Sequence, residues 1–290
     1  MSDDNDFLLF DRVEKIKDVF NQYGIENFCI SYSGGKDRTV LSTLIDIAVP
    51  DNKIPRVFMH TGIELNSVVD FVHKKSKEDT RFHIITPKNS IKKTLEKYGY
   101  PFKSKEHSEL LSYFQKGSLS PWIFKYILGN GRYSCPKILK CQFDYEYKLK
   151  ISDRCCLEMK EKPLHLWKDK TGYKYEIIGI RRAEGGRRSR ATCLAFEKGK
   201  LKSFQPLAPV NDGFIEWMVN QFVIDLPIIY YPPYNFERTG CKGCPFNPNL
   251  QRDLDVLDKY FPEERKQCEV IWKPVYDEYR RLGYRLRKED

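Results

Sequence analysis

Residues 31 to 39 read Ser31-Tyr32-Ser33-Gly34-Gly35-Lys36-Asp37-Arg38-Thr39, between an apolar β-type run and a helical pattern. Adjacent glycines let backbone amides approach one point without interference from Cβ atoms. At a helix start those amides are unpaired, and the helix dipole adds positive potential. A turn of this kind binds phosphate oxygens. Ser33 adds a hydroxyl donor and Lys36 a charge. A bare Gly-Gly would be an ordinary turn, but the flanking strand, the helix and the full string Ser33 to Asp37 point to phosphate.

The second chemical signal is sulfur. The chain has nine cysteines, four of them in tight pairs, Cys155-Cys156 and Cys241-Lys-Gly-Cys244. In a reducing compartment such pairs serve metal or redox work rather than structural disulfides. Cys-x-x-Cys offers two thiolates from one turn, and a vicinal pair beside lysines suits ligation. Cys155, Cys156, Cys241 and Cys244 are therefore the expected metal ligands. An iron–sulfur cluster is favoured over zinc, because zinc sites usually use two Cys-x-x-Cys knuckles. Cys29 lies in an apolar strand and reads as a small buried hydrophobe. Cys135 and Cys141 are loosely spaced and read as incidental, with a sulfur-carrying or resolving pair as the alternative; Cys268 reads as structural, with a sulfur carrier as the alternative. The third signal is arginine. Arg181, Arg182, Arg187, Arg188 and Arg190 fall within ten residues, and guanidinium forks suit phosphate or sulfate. Of the five histidines only His60, at a strand end, falls near the loop.

These groups need a scaffold. Val13, Ile16, Phe20 and Tyr23 have helical spacing, ended by Gly24. Phe28 to Tyr32 reads as a strand, Val40 to Ala48 as a helix, Arg56 to His60 as a strand. A helical stretch through Val69 and Val72 and a strand at Phe82 to Thr86 follow. This alternation predicts a parallel α/β sheet with right-handed crossovers, whose ligands bind beyond the carboxyl ends of the strands. From about 101 to 170 the pattern is irregular. Tyr175 to Ile180 reads as a returning strand, Ile215 to Val223 as a helix, Pro227 to Tyr234 as a loop and Leu254 to Leu282 as a charged helical tail. The expected division is a nucleotide-binding domain at 1–205, with its insertion at 101–170, and a cysteine-bearing segment at 206–290.

Ser33-Gly34-Gly35-Lys36-Asp37 resembles the pyrophosphate loop of the adenine-nucleotide α-hydrolases, and more narrowly that of the phosphoadenylyl-sulfate (PAPS) reductase family. Thr61-Gly62-Ile63-Glu64 resembles that family's second nucleotide motif, with His60 where an aspartate often stands. Gly179-Ile180-Arg181-Arg182-Ala183-Glu184, with Arg187 and Arg188, resembles its arginine motif. Arg38 departs from the family's usual serine. The resemblance implies a Rossmann-like parallel sheet flanked by helices, with a C-terminal cysteine-containing metal-cluster segment. It implies nucleotide contacts from Ser31, Ser33, Gly34, Gly35, Lys36, Asp37, Arg38, Thr39, Thr61, Gly62, Glu64, Gly179, Arg181, Arg187 and Arg188. Lys36, Asp37 and Arg181 would be catalytic. The vicinal cysteines with Lys160 and Pro163, then the distant Cys-x-x-Cys, resemble the four-iron cluster ligands of adenylyl-sulfate reductases and of sulfur-inserting relatives.

Three functions follow from the resemblance. The first is an ATP pyrophosphatase and sulfurtransferase, using ATP and magnesium, that adenylylates an acceptor such as DNA or tRNA before sulfur arrives from a donor such as a cysteine desulfurase. The second is a reductase of adenylyl sulfate or PAPS, against which stands the absence of that group's C-terminal Glu-Cys-Gly-x-His motif. The third is a nucleic-acid-binding protein that keeps the fold and a metal knuckle but has no turnover. A net charge of +10 favours anionic partners in all three. No stretch reaches the ~20 apolar residues of a membrane span, and the acidic start Met1 to Asp6 is unlike a secretory signal. A cytoplasmic protein without membrane contact is expected.

Overall fold

The computed structural model describes residues 2–131 and 134–288; the side chains of Ser2, Asp3 and Arg187 also lie outside the described residues. The chain forms two compact units. The first comprises Met1–His60, Glu64–Thr86 and Pro163–Gly240, the second Thr61–Ile63, Pro87–Lys162 and Cys241–Asp290. This differs from a cut at 205, because 206–240 packs with the sheet and the irregular stretch with the C-terminal segment.

The first unit is an α/β sheet flanked by helices. Its strands are β1 (Phe28–Tyr32), β2 (Arg56–Met59), β3 (Phe82–Ile85), β4 (Tyr175–Ile177), β5 (Leu194–Glu197) and β6 (Lys200–Phe204), in the order β3-β2-β1-β4-β6-β5. All neighbours are parallel except β5 and β6. The β5–β6 turn has Lys198 and Gly199 both at positive φ, the twist a two-residue hairpin requires. The chain steps outward from β1 to β3 and returns on the other side of β1 as β4, so the strand order reverses between β1 and β4. Open α/β sheets bind ligands at that reversal.

Helix α1 (Ser2–Tyr23) buries Ile16, Val19 and Phe20 at helical spacing, and the Phe20 ring meets Phe28 and Phe204. Helix α2 (Lys36–Ala48) buries Val40, Leu41, Leu44 and Ile45. Helix α3 (Asn66–Glu78) buries Val68, Phe71 and Val72. Leu164 at the start of α7 (Lys162–Thr171) packs on Cys29 and Val57. Helix α8 (Asp212–Gln221) completes the layer.

The second unit is helical: α4 (Ile91–Tyr98), α5 (Lys105–Gln115), α6 (Pro121–Leu128), α9 (Leu250–Tyr260) and α10 (Pro262–Leu282). The expected single tail is two helices, because Pro262 cannot continue α9 and instead opens α10. Among the described residues no helix is long and apolar enough to cross a membrane.

Candidate nucleotide loop and cysteine set

In the first unit, Ser33, Gly34 and Gly35 join β1 to α2, and Gly35 is the N-cap with no side-chain cap. Gly34 has φ of +69°, and a Cβ there would lie 2.7 Å from Val68 Cγ1. A Cβ on Gly35 would come 2.4 Å from Thr239 Oγ1. Both positions therefore exclude any larger residue. The loop amides are not idle. Gly35 N donates to Ser33 Oγ at 3.4 Å, and Lys36 N donates to the hydroxyl of Tyr230 at 3.0 Å. That hydroxyl also accepts from Thr239 N and contacts Thr239 Oγ1, each at 3.2 Å. A helix-capping amide thus already holds a side-chain oxygen, the role a phosphate oxygen would take. Tyr230 was not singled out from sequence. The proline- and tyrosine-rich stretch from Pro227 was its only signal.

The arginine motif follows β4 and meets the loop. Gly179 lets the strands' ends close: a Cβ there would stand 3.2 Å from Arg38 Cγ and 3.4 Å from the Asp37 carbonyl oxygen. Arg181 Nε lies 3.0 Å from Asp37 Oδ2, and Arg181 Nη2 donates to Asp212 Oδ1 at 2.7 Å. The Arg181 side chain is 6% exposed, and its Nη1 is buried with no hydrogen-bond partner among the described residues. Buried guanidinium groups seldom stay unpaired, so this nitrogen suits an anion. Arg38 is half-buried, and burial, then repulsion from Arg188, lowers its pKa. Arg188 and Arg238 both pair with Glu184, whose carboxylate also accepts the Arg181 amide at 3.2 Å.

Other expected contacts lie elsewhere. The Thr39 hydroxyl is buried, donating to Gly35 O at 3.1 Å and touching the Tyr32 hydroxyl at 2.9 Å. Ser31 bonds to Glu176, whose pKa burial raises. Glu64 is buried in the first unit, whereas Thr61 and Gly62 belong to the second. The Arg187 side chain lies outside the described residues.

The four paired cysteines all belong to the second unit. Cys155 and Cys156 open a helical stretch that widens into a π-turn at Leu157–Glu161, a form frequent at functional sites. Hydrogen bonding to Cys156, then burial, raises Cys155, with Cys244 and Cys241 adding negative charge nearby. The Cys155 bond, then Lys105 and Lys160, hold Cys156 down to about 6. Four thiols that sense one another cannot all ionise without a cation among them. The donor set is therefore chemically suited to a thiolate-bound metal. Among the described residues no three His, Cys, Asp or Glu side chains close around a point where a single ion would sit.

Helix α10 holds the Cys241–Cys244 turn. Trp272 Nε1 donates to Lys242 O at 2.9 Å, the Tyr276 hydroxyl to Gly243 O, and the Tyr279 hydroxyl to Pro245 O at 2.8 Å. Lys242 Nζ is 3.1 Å from Glu264 Oε2, with both side chains almost fully buried. Gly243 has φ of +60°, and a Cβ there would strike the Tyr276 hydroxyl and Cys268 Sγ.

Among known proteins, residues 27–118 match the family model described as the phosphoadenosine phosphosulfate reductase domain. An uncharacterized protein of Methanocaldococcus jannaschii is 27% identical over 294 residues, covering 92% of this chain and 56% of the relative. The chain thus spans about half of that protein's length. Solved structures give low-identity matches. The phosphoadenylyl-sulfate reductase of Candida auris, in a phosphate complex, is 13% identical with a TM-score of 0.40, covering 70% of this chain and 76% of that one. FMN adenylyltransferase of Candida glabrata is 12% identical with a TM-score of 0.46, covering 78% and 58%. The U34-tRNA thiolase NcsA of Methanococcus maripaludis, with its [4Fe-4S] cluster, is 14% identical with a TM-score of 0.43, covering 96% and 80%.

Proposed function

We propose that the protein is an adenylyl-forming ATP pyrophosphatase that prepares an acceptor for sulfur transfer. The observation that carries this reading is the amide cradle at the end of β1, beside a buried Arg181 with a nitrogen unpartnered among the described residues. In the reaction, an acceptor oxygen bonds to the α-phosphorus of ATP and the bond from that phosphorus to the bridging oxygen breaks. Pyrophosphate leaves. A sulfur nucleophile then displaces AMP from the acceptor. The loop amides and Lys36 would hold the departing phosphates, and Arg181, fixed by Asp37, would meet the charge developing on them. Asp37, the one carboxylate of the loop, is the residue that would help hold magnesium, which would neutralise charge on the phosphates. Arg188, and Arg187 with it, would face the anionic end of the ligand or acceptor.

Cys155, Cys156, Cys241 and Cys244 would hold a four-iron cluster, which supplies a site for sulfide or a rigid support. Three of the five cysteines outside this set are ill-suited to reduction of a free sulfonucleotide, while Cys141 is exposed and Cys193 half-buried. Reduction needs a thiolate nucleophile, yet Cys29 and Cys135 are buried, with thiols pushed by burial up to about 12 and about 11. Cys268 is buried as well.

The decisive assay supplies ATP or PAPS separately. Pyrophosphate exchange with ATP and no sulfite from PAPS is the expected result; sulfite release would establish the reductase instead. For the metal, Cys241→Ala should strip iron and sulfide from anaerobically purified protein. Unchanged iron would remove the cluster from the reading, and zinc in place of iron would reassign it.

A further inference from the structure

The positive charge of the chain is unevenly spread. Residues 87–162 hold sixteen Lys and Arg against eight Asp and Glu, eight of the ten net charges of the chain. Within that stretch lies a cavity of about 290 Å³, lined by Tyr98, Phe114, Tyr145 and, around them, Lys116, Lys148 and Lys150. Its size approaches the lower end of small-molecule pockets, ~300 Å³, enough for one flat ring system. The rings are arranged for stacking. Tyr145 is 69% exposed, and behind it the Phe114 ring lies 5.2 Å away, tilted by 31°. One face of Tyr145 is backed by another ring while the side chain opens to solvent.

The lysines complete the pattern. Lys148 is 79% exposed, with Glu146 at 3.8 Å and a hydrogen bond donated to Tyr145 O at 3.4 Å. Lys150 is steadied by donating to Lys97 O at 2.6 Å. Asp144, also in the lining, accepts the Glu146 amide through Oδ1, which leaves Oδ2 to accept from an exocyclic amine. The nearby helix α6 adds Trp122, 70% exposed, with Lys125 Nζ 5.3 Å from its ring centre. Open aromatic rings among lysines are what single-stranded nucleic acid uses, bases stacking while ammonium groups meet the phosphates. Duplex, with its bases already stacked, cannot place one in such a cavity.

We propose that this cavity receives an unpaired base of a single-stranded nucleic-acid segment, with Tyr145 as the stacking platform and Lys148 and Lys150 on the flanking phosphates. The acceptor class rests on the functional reading above; the site does not. The test is fluorescence anisotropy with labelled oligocytidine and oligouridine at several salt concentrations, without ATP. The full-length protein should bind the single strand, oligocytidine more tightly because of Asp144. Tyr145→Leu, which keeps an apolar side chain at an exposed position, should weaken binding by about tenfold. Lys148→Glu with Lys150→Glu should flatten the salt dependence by about 1.4 in log–log slope, ~0.7 for each phosphate contact on a single strand. The proposal is overturned if either variant binds like the parent, or if a duplex of equal length binds as tightly. Lys36→Ala protein should bind the same probe unchanged, so a failed pyrophosphate assay and a failed oligonucleotide assay are separate results.

Discussion

The two candidate sites are held in opposite ways. In the first unit the phosphate loop is a property of the backbone: a strand ends, two glycines turn, and a helix begins at a Gly35 N-cap that offers no side-chain cap of its own. In the second unit the Cys241–Cys244 turn is held by side chains, with three aromatic donors of α10 satisfying the carbonyls of Lys242, Gly243 and Pro245. A backbone site is sensitive to where a Cβ can fit. A side-chain site is sensitive to the loss of single hydrogen bonds. Substitutions in one unit should leave the readout of the other intact, and that independence is what the following variants test.

The largest effect is expected at Gly34. Alanine there must adopt a φ near +69° and push against Val68 Cγ1, a left-handed conformation costing roughly 1–2 kcal/mol before any clash. Displacing the loop by about 1 Å should lower pyrophosphate release by about 100-fold. Iron content should not change. A Gly34→Ala enzyme with normal turnover would show that the amides of this turn do not carry the chemistry.

The mirror experiment is Tyr276→Phe. It removes the donor to the Gly243 carbonyl and leaves that oxygen buried without a partner, at a stability cost of about 1–3 kcal/mol. The expected outcome is a lower melting temperature and faster loss of iron to a chelator, with ATP binding to the loop unaffected. Equal chelation rates in parent and variant would mean that α10 does not brace the cysteine turn.

The same contrast explains what could be read from sequence. β1, α2, β2 and α3 follow from periodicity, since their apolar faces are laid out along consecutive residues such as Val40, Leu41, Leu44 and Ile45. The loop was legible because Ser33 to Asp37 is one continuous string. The β5–β6 hairpin escaped, because Lys200 and Lys202 make β6, which lies between β4 and β5, look like a polar loop. Tyr230 escaped for a different reason: it reaches the Lys36 amide across 194 residues of chain. Helix α10 is similar, for Trp272, Tyr276 and Tyr279 read as one apolar stripe, and nothing local says that their polar atoms reach back to residues 242–245.

A smaller effect is expected at His107, in the interior of the second unit. Its ring bonds to the Tyr126 hydroxyl at 2.9 Å and to Gln142 Oε1 at 2.8 Å. Burial pushes its pKa from 6.5 down to about 3. The folded protein therefore keeps the ring neutral while the unfolded chain takes up a proton. Stability from this group is complete above about pH 6.5 and is lost as the pH falls toward 3. Within that window the slope is at most about 1.4 kcal/mol per pH unit. His107→Gln should flatten the acid limb of the stability curve by up to one proton, measured by urea unfolding between those limits. An unaltered limb would show that the ring already carries its proton in the fold.

The smallest effect, and the most informative about the loop, is at Tyr230. Its hydroxyl accepts from the Lys36 amide and is bonded to Thr239. A phosphate oxygen arriving at that amide must displace the hydroxyl or share the donor with it. Tyr230→Phe removes the competitor but leaves the ring near Lys36 Nζ, 6.0 Å from its centre in the parent. Without nucleotide the variant should be less stable by roughly 1 kcal/mol, since one hydrogen bond is lost. With nucleotide the order should reverse: ATP affinity should rise about fivefold, the binding equivalent of ~1 kcal/mol, and the stabilisation by saturating ATP should exceed that of the parent. If affinity falls instead, the hydroxyl is a ligand contact rather than a placeholder, and the loop is completed from the Pro227 to Tyr234 stretch as well as from its own backbone.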